Sequence, residues 1–308
     1  MSDKNKPVKP FLKWAGGKSQ LLEQIQANFP AELKTGSIAR YIEPFVGSGA
    51  VFFYVSQYYS IEEFFISDIN PELIIAYKTI QKNVEELIEN LSKIQEQYVC
   101  LDEEKRKEYF YQTRSEFNLL GKQIDAKLGE VREEWIKRTA QLIFLNRTCF
   151  NGLFRVNSKG EFNVPFGKYK NPKICDRDNL RAVSQVLQKT HIHHGDFTDC
   201  EKVVDKNSFV YFDPPYKPIT KTSNFTSYSK DSFDDKEQLR LRDFFSLLDK
   251  KGAKLMLSNS DPRDNFFETA YERYRIERVK ASRNINSNAQ KRGKINELLI
   301  MNNYPTYK

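Results

Sequence analysis

An apolar run, Phe209-Val210-Tyr211-Phe212, ends in Asp213-Pro214-Pro215-Tyr216 and so brings a carboxylate, a rigid turn and an aromatic ring to one point. That set suits chemistry on an exocyclic amine. The Asp213 carboxylate and the Pro214 carbonyl can each accept a hydrogen bond from an NH2 group and draw its lone pair out of ring conjugation, while Tyr216 offers a face for a base. The two prolines remove backbone donors and fix φ, which presets the turn. Stacking asks for the ring rather than the hydroxyl, so Tyr216→Phe is expected to be much milder than Tyr216→Ala. A match of four residues is also compatible with a plain strand-to-turn junction, and the other polar constellations have to decide.

A second constellation is Glu43-Pro44-Phe45-Val46-Gly47-Ser48-Gly49, which follows a strand and opens a helix. Glycines there let the backbone approach a ligand at an exposed helix N-terminus. About twenty residues further on, at the end of the next strand, Asp68 stands where an acidic side chain can hold two ribose hydroxyls. The loop lacks the Lys-Ser/Thr ending of a phosphate-binding loop and has fewer glycines than a pyrophosphate fingerprint. An adenosine ligand without phosphates fits better, and S-adenosylmethionine is one. Near the start, Trp14 and Lys18 flank Gly16-Gly17, a pair that permits close backbone approach. The Lys18 ammonium could neutralise a cofactor carboxylate; taken singly, Trp14 also reads as a core anchor and Lys18 as a solvated first-turn residue.

These residues must be held by a frame, and the hydrophobic pattern supplies one. Helix signals around Ser19 to Asn28 and from Ala50 alternate with strand signals at Tyr41-Ile42 and Phe64-Phe65-Ile66, which implies a parallel sheet with crossover helices. From Pro71 to about Leu145 the pattern is helical and highly charged, with Leu87, Leu91 and Ile94 on one face and Trp135, Ala140, Ile143 and Phe144 on another. This reads as an insertion. Asn151 to Pro172, rich in Asn, Gly and Lys with interleaved aromatics, reads as a loop or irregular hairpin. Strands then resume at His191-Ile192-His193, Phe209 to Phe212 and Lys254 to Leu257, with a helix around Lys236 to Leu248. A final pair, near Tyr274 to Val279 and Glu297 to Met301, is expected to close the sheet edge as an antiparallel hairpin.

At 308 residues with a formal charge of +8, the chain can bury a substantial core and favours an anionic partner, for which nucleic acid is the usual candidate. Arg273, Arg275, Arg278, Lys280, Arg283, Lys291, Arg292 and Lys294 crowd the C-terminal region. Cys100, Cys149, Cys175 and Cys200 are scattered without a CxxC pair, which argues against a zinc site or a disulfide framework. His191, His193 and His194 are too clustered and too alone for a metal site, and are expected at the edge of a strand. No membrane span or signal-peptide core is found, so a cytoplasmic, membrane-free and metal-free protein is expected.

Lys13-Trp14-Ala15-Gly16-Gly17-Lys18, the Pro44 to Gly49 loop, Asp68-Ile69-Asn70, Asp213 to Tyr216 and Ser258-Asn259 occur in the order found in the Dam-like DNA adenine-N6 methyltransferases, alpha class, and the chain resembles that family over nearly its whole length. The resemblance implies a Rossmann-like class I methyltransferase sheet, formed by residues 1–70 and 176–308. It also implies an inserted, mainly helical target-recognition domain with a β-hairpin, residues 71–175. By the same resemblance Trp14, Lys18, Phe45, Gly47, Gly49, Asp68 and Asp213 would contact S-adenosylmethionine, which leaves as S-adenosylhomocysteine, and Asp196 and Phe197 would lie near its adenine. Asp213, Pro214 and Tyr216 would be catalytic.

Asn146 to Arg155 together with Gly160 to Tyr169 resembles the family's DNA-reading hairpin. Arg155 has the fork to bind a guanine edge, Leu153 and Pro165 can touch a thymine methyl, and Phe150 and Asn151 could fill the space left by a flipped base. Many family members carry Tyr where Phe150 stands, so only stacking or wedging is inferred there. Lys13 would reach a guanine at the other edge of the site, and Tyr169 belongs to the same surface. Leu153, Phe154 and Phe162 also suit packing of the hairpin itself. The expected activity is methylation of adenine N6 in duplex DNA, within GATC, by a monomer. Cytosine-N4 methylation is the nearest rival, RNA or glutamine methylation usually has Asn where Asp213 stands, and a silent DNA-binding protein would show a broken loop or acidic position. No Pro-Cys dipeptide is present to serve cytosine-C5 chemistry.

Overall fold

The computed structural model describes residues 7–121, 132–218, 233–282 and 294–306. A 3-10 turn at Lys18–Gln20 leads into α1 (Leu22–Gln26), so the helix expected from Ser19 to Asn28 is present but short and opens as a 3-10 turn; α2 (Glu32–Thr35) follows beyond Pro30. There follow β1 (Arg40–Glu43), α3 (Ala50–Tyr58), β2 (Glu63–Asp68), α4 (Pro71–Lys82), α5 (Val84–Val99), α6 (Glu103–Leu120) and α7 (Glu133–Thr148). The chain continues through α8 (Arg177–Leu187), β3 (Thr190–His194), β4 (Ser208–Phe212), α9 (Asp235–Lys250), β5 (Lys254–Ser260), α10 (Phe266–Ala270), β6 (Arg275–Ser282) and β7 (Lys294–Met301).

The strands form one sheet in the order β3-β2-β1-β4-β5-β7-β6. The first five run parallel, while β7 is antiparallel to both its neighbours. This is the Rossmann-like α/β architecture expected. The last two strands do pair as an antiparallel hairpin, but β7 slots between β5 and β6, so the edge is β6 and the final strand is internal. Tyr41 and Ile42 of β1 stand opposite Phe209 and Val210 of β4. The connections leave β1 in one direction and β4 in the other, which opens a crevice beyond their carboxyl ends.

Alternation along the central strands builds two apolar layers. Tyr41, Phe209, Tyr211 and Met256 face one core with α3, α4 and α7 residues such as Phe52, Tyr77 and Phe144. Ile42, Val210, Phe212, Leu255 and Leu257 face the other with Leu241, Phe245 and Leu248 of α9. Helices start where sequence supplies caps: Asn70 Oδ1 accepts the Glu72 N–H ahead of α4, whose first residue is Pro71, and Asp102 and Asp234 do the same for α6 and α9. Helix α7 packs on α4, α5 and α6, and α4 packs in turn on β2, β3 and α8. Trp135, Ala140, Ile143 and Phe144 of α7 are all buried, as their spacing requires.

Among the described residues no helix is long and apolar enough to cross a membrane. The three histidines do lie on the edge strand β3, where His191 stacks on Phe65, His193 pairs with Asp199 and His194 bonds the Ile69 carbonyl. Of the C-terminal basic residues, Arg275 donates to Asn28 and Arg278 is held by Asp261 and Glu268. Both guanidinium groups therefore serve the fold. Arg283, Lys291 and Arg292 lie outside the described residues.

Candidate active site

Gly47 and Gly49 turn the chain from β1 into α3, with φ of 48° and 73°, a region that suits glycine. Sterics demand them as well. A Cβ on Gly49 would lie 2.6 Å from the Tyr77 hydroxyl, and one on Gly47 would lie 3.2 Å from Cδ1 of Trp14. Tyr77 donates to the Gly47 carbonyl at 3.1 Å. Asp68, the last residue of β2, reaches back to this turn: its Oδ2 accepts the Gly47 N–H at 3.0 Å and its Oδ1 accepts the Asn70 N–H at 2.9 Å. Burial raises the Asp68 carboxyl to about 6 against the pull of those backbone donors. Trp14 thus meets the glycine loop on one side, and on the other it stacks on Phe154 with centroids 5.0 Å apart.

Asp213 follows β4 directly and forms an ion pair with Lys18, Nζ to Oδ1 2.8 Å, the lysine side chain being 2% exposed and the aspartate 20%. Lys18 also donates to the Gly16 carbonyl and sits 4.6 Å from the centroid of the Tyr216 ring. Desolvation raises the Asp213 carboxyl to about 6, with Lys18 working in the opposite direction. The residues after Asp213 are held by α9 and β5. Gln238 donates to the Pro215 carbonyl at 3.0 Å, Asn259 accepts the Lys217 N–H at 3.1 Å, and Ser260 donates to the Lys217 carbonyl. Asn259 donates to Gln238 as well, which ties the two clamps together. The Tyr216 hydroxyl is not idle: it donates to Glu297 Oε2 at 2.7 Å.

Phe45 stacks on Phe197 with centroids 5.3 Å apart, and the Arg240 guanidinium lies 4.1 Å over the other aromatic partner, Phe197. Arg240 forks onto Asp196, 2.9 Å to Oδ1 and 2.7 Å to Oδ2, while Oδ1 also accepts from Thr198. These bonds hold the Asp196 carboxyl down at about 2. Its oxygens orient Arg240 and the turn after β3, and Phe197 is buried, covered by Phe45 and by the Arg240 guanidinium.

The segment from Cys149 to Tyr169 folds back on itself through isolated bridges, Cys149 to Phe166 and Val156 to Phe162, as an irregular hairpin. Exposure sorts its residues. Phe150 is 53% exposed and Asn151, Arg155 and Pro165 are exposed beside it, whereas Phe154 and Phe162 are buried. Leu153 and Tyr169 are half-buried, and Leu153 packs on the core. Arg155 is steadied by its Nε donating to Asn163 at 2.8 Å. Lys13 is exposed, its Nζ 5.2 Å from the Tyr169 centroid. Asn151 adopts a positive φ of 57°, which asparagine tolerates better than most residues.

Several residues that complete the site do not stand out in the sequence. Asn146, 1% exposed on α7, accepts the Lys13 N–H and donates to the carbonyls of both Lys13 and Gly152, which pins the start of the chain to the hairpin. A Cβ on Gly152 would sit 2.3 Å from Lys13 Cδ, so the two segments touch. A polar residue on the apolar face of α7 is the available clue. Glu72 and Arg138 pair across α4 and α7, and Glu72 lies in the turn capped by Asn70. Glu297 and Arg240 give no local signal, since they reach the site from strands and helices far along the chain.

Residues 14–285 match a family model described as D12 class N6 adenine-specific DNA methyltransferase. Over 296 residues, 96% of this chain and 99% of the relative, the sequence is 55% identical to the type II methyltransferase M.MjaIII of Methanocaldococcus jannaschii. It is 36% identical to a DNA adenine methylase of Haemophilus influenzae, covering 95% of this chain and 93% of that one. A DNA adenine methylase of Escherichia coli K12 is 33% identical, with 96% of each chain covered. With the glycine turn after β1, the Asp213 turn after β4 and similarity from end to end, the chain belongs to the D12 class of N6 adenine-specific DNA methyltransferases.

Proposed function

We propose that this enzyme uses S-adenosylmethionine to methylate N6 of an adenine rotated out of duplex DNA, within GATC, and that it acts as a monomer. The observation that carries the reading is the junction at the sheet switch point, where the Asp213 carboxylate is 2.8 Å from Lys18 and the Tyr216 ring lies within reach of the same ammonium. The glycine cradle, the Asp68 carboxylate, the Lys18 ammonium and the aromatic walls Trp14 and Phe45, the latter backed by buried Phe197, fit an adenosine bearing an amino acid and no phosphate. When bound, that donor supplies a methyl group on a sulfonium, already electrophilic. The protein's task is then alignment of the amine.

Asp213 and the Pro214 carbonyl accept the two N6 hydrogens and turn the amine lone pair outward. Asp213 holds the amine and is not required to remove its proton: N6 becomes acidic once methylated and loses that proton to water after the transfer. Tyr216 stacks on the base, on the ring face opposite Lys18, and offsets unstacking that costs a few kcal/mol. Around the vacated duplex position Phe150 and Asn151 fill space, Arg155 and Lys13 read guanine edges, and Leu153, Pro165 and Tyr169 shape the groove contact. The Asp213 turn would also suit the N4 amine of cytosine, and the match to an adenine-specific family favours adenine. The test is transfer of labelled methyl from S-adenosylmethionine to duplexes containing GATC or each single-base variant, followed by nucleoside analysis. N6-methyladenine confined to GATC is expected, and it should vanish in folded Asp213→Ala. Label in another nucleoside, or equal label in all duplexes, would overturn the substrate or the site.

A further inference from the structure

We infer that Glu297 is a positioning residue for methyl transfer, setting the plane of the Tyr216 ring through its hydroxyl. The prolines before Tyr216 fix the backbone of the turn but not the torsions of the side chain that follows. Lys18 touches a ring face. The far end of the ring is secured by Glu297 Oε2, 2.7 Å from the hydroxyl. Burial keeps the phenol pKa well above its ordinary value, so it remains a donor to the carboxylate. A charge-assisted bond of this kind is among the stronger side-chain restraints.

The antiparallel placement of β7 is what makes this contact possible. Five parallel strands deliver their last residues to the rim of the site, so a sixth parallel strand would offer only its own terminal residues there. β7 runs the other way, and its early residue Glu297 stands opposite Ser260, the last residue of β5. Ser260 and Asn259 clamp Lys217 on one side of Tyr216, and Glu297 holds the ring itself. The hydroxyl therefore has a task that stacking alone would not give it. A platform free to swing would still bind DNA but would present the base to the methyl group in the right geometry less often, a loss in rate rather than in affinity.

The inference rests on the reading of Tyr216 as the stacking platform. It is tested by single-turnover methylation of a GATC duplex, with DNA and cofactor affinities measured alongside, for the parent, Tyr216→Phe, Glu297→Ala, the double variant and Glu297→Gln. Tyr216→Phe and Glu297→Ala should each slow transfer about tenfold with both affinities unchanged. The double variant should be no slower than the slower single, within about twofold, because both remove one contact. Glu297→Gln keeps an acceptor and should recover to within about threefold of the parent. An additive loss of about a hundredfold in the double variant, parent rates in Glu297→Ala, or equal losses in the Gln and Ala variants would overturn the inference. Those outcomes leave the proposed function standing, provided that the parent methylates adenine; absence of N6-methyladenine with the parent would remove both.

Discussion

Protonation of two carboxyls should set the acid limit of this enzyme near pH 6. Asp213 and Asp68 are both raised from the ordinary aspartate range to about 6, chiefly by burial. For Asp213 the surrounding charges are Lys18, which lowers it, and Glu297, which raises it. The sign is direct: an amine acceptor must be ionised, so activity falls as pH drops through that value. At pH 5 a carboxyl titrating near 6 is ionised in roughly one molecule in eleven, whereas an unperturbed aspartate is still more than about nine-tenths ionised. The value of kcat/KM should therefore fall about tenfold between pH 7.5 and 5, and more steeply if Asp68 must be ionised for cofactor binding. A bound cation near Asp213 favours its charged form, so the limb in kcat should lie lower than the limb in kcat/KM. Lys18→Met removes the cation 2.8 Å from Oδ1 and should move the free-enzyme limb up by about one unit or more. The assay is initial-rate methylation across pH 4.5 to 8 with circular dichroism to confirm folding. A flat kcat/KM down to pH 5 in folded enzyme would refute an ionised, buried Asp213 as the amine acceptor.

Two further outcomes are expected. Arg155→Ala should lose about 1–3 kcal/mol of discrimination at one guanine while cleanly preserving the order of the other positions, read from methylation rates on GATC and its single-base variants; uniform slowing on every duplex would make Arg155 a phosphate or structural residue. Glu72→Ala strands the Arg138 guanidinium, whose side chain is 4% exposed, and should cost about 3–5 kcal/mol in urea unfolding; a loss below about 1 kcal/mol would show that the pair contributes little beyond packing.

The motifs and the frame that carries them were legible in the chain because both are written locally. Strand-forming runs such as Phe209 to Phe212 and the glycine turn at Gly47 and Gly49 depend on sterics within a few residues, and the burial of Trp135 and Phe144 follows from helical spacing alone. Alternation of strand and helix then made a parallel sheet the economical arrangement. What tertiary structure decided is everything that depends on residues distant in sequence meeting. The hairpin of β6 and β7 was readable, but its insertion with β7 beside β5 was not, since either strand has an apolar face that could pair there. That choice brings Glu297 to Tyr216 and gives a hydroxyl expected to be dispensable a carboxylate partner. In the same way Arg240 takes Asp196, and Arg278 is taken by Asp261 and Glu268, so charges that looked available to a ligand or to DNA are used within the fold. A residue's type fixes what it can bond to; only the packing of the whole chain fixes which partner comes within 3 Å.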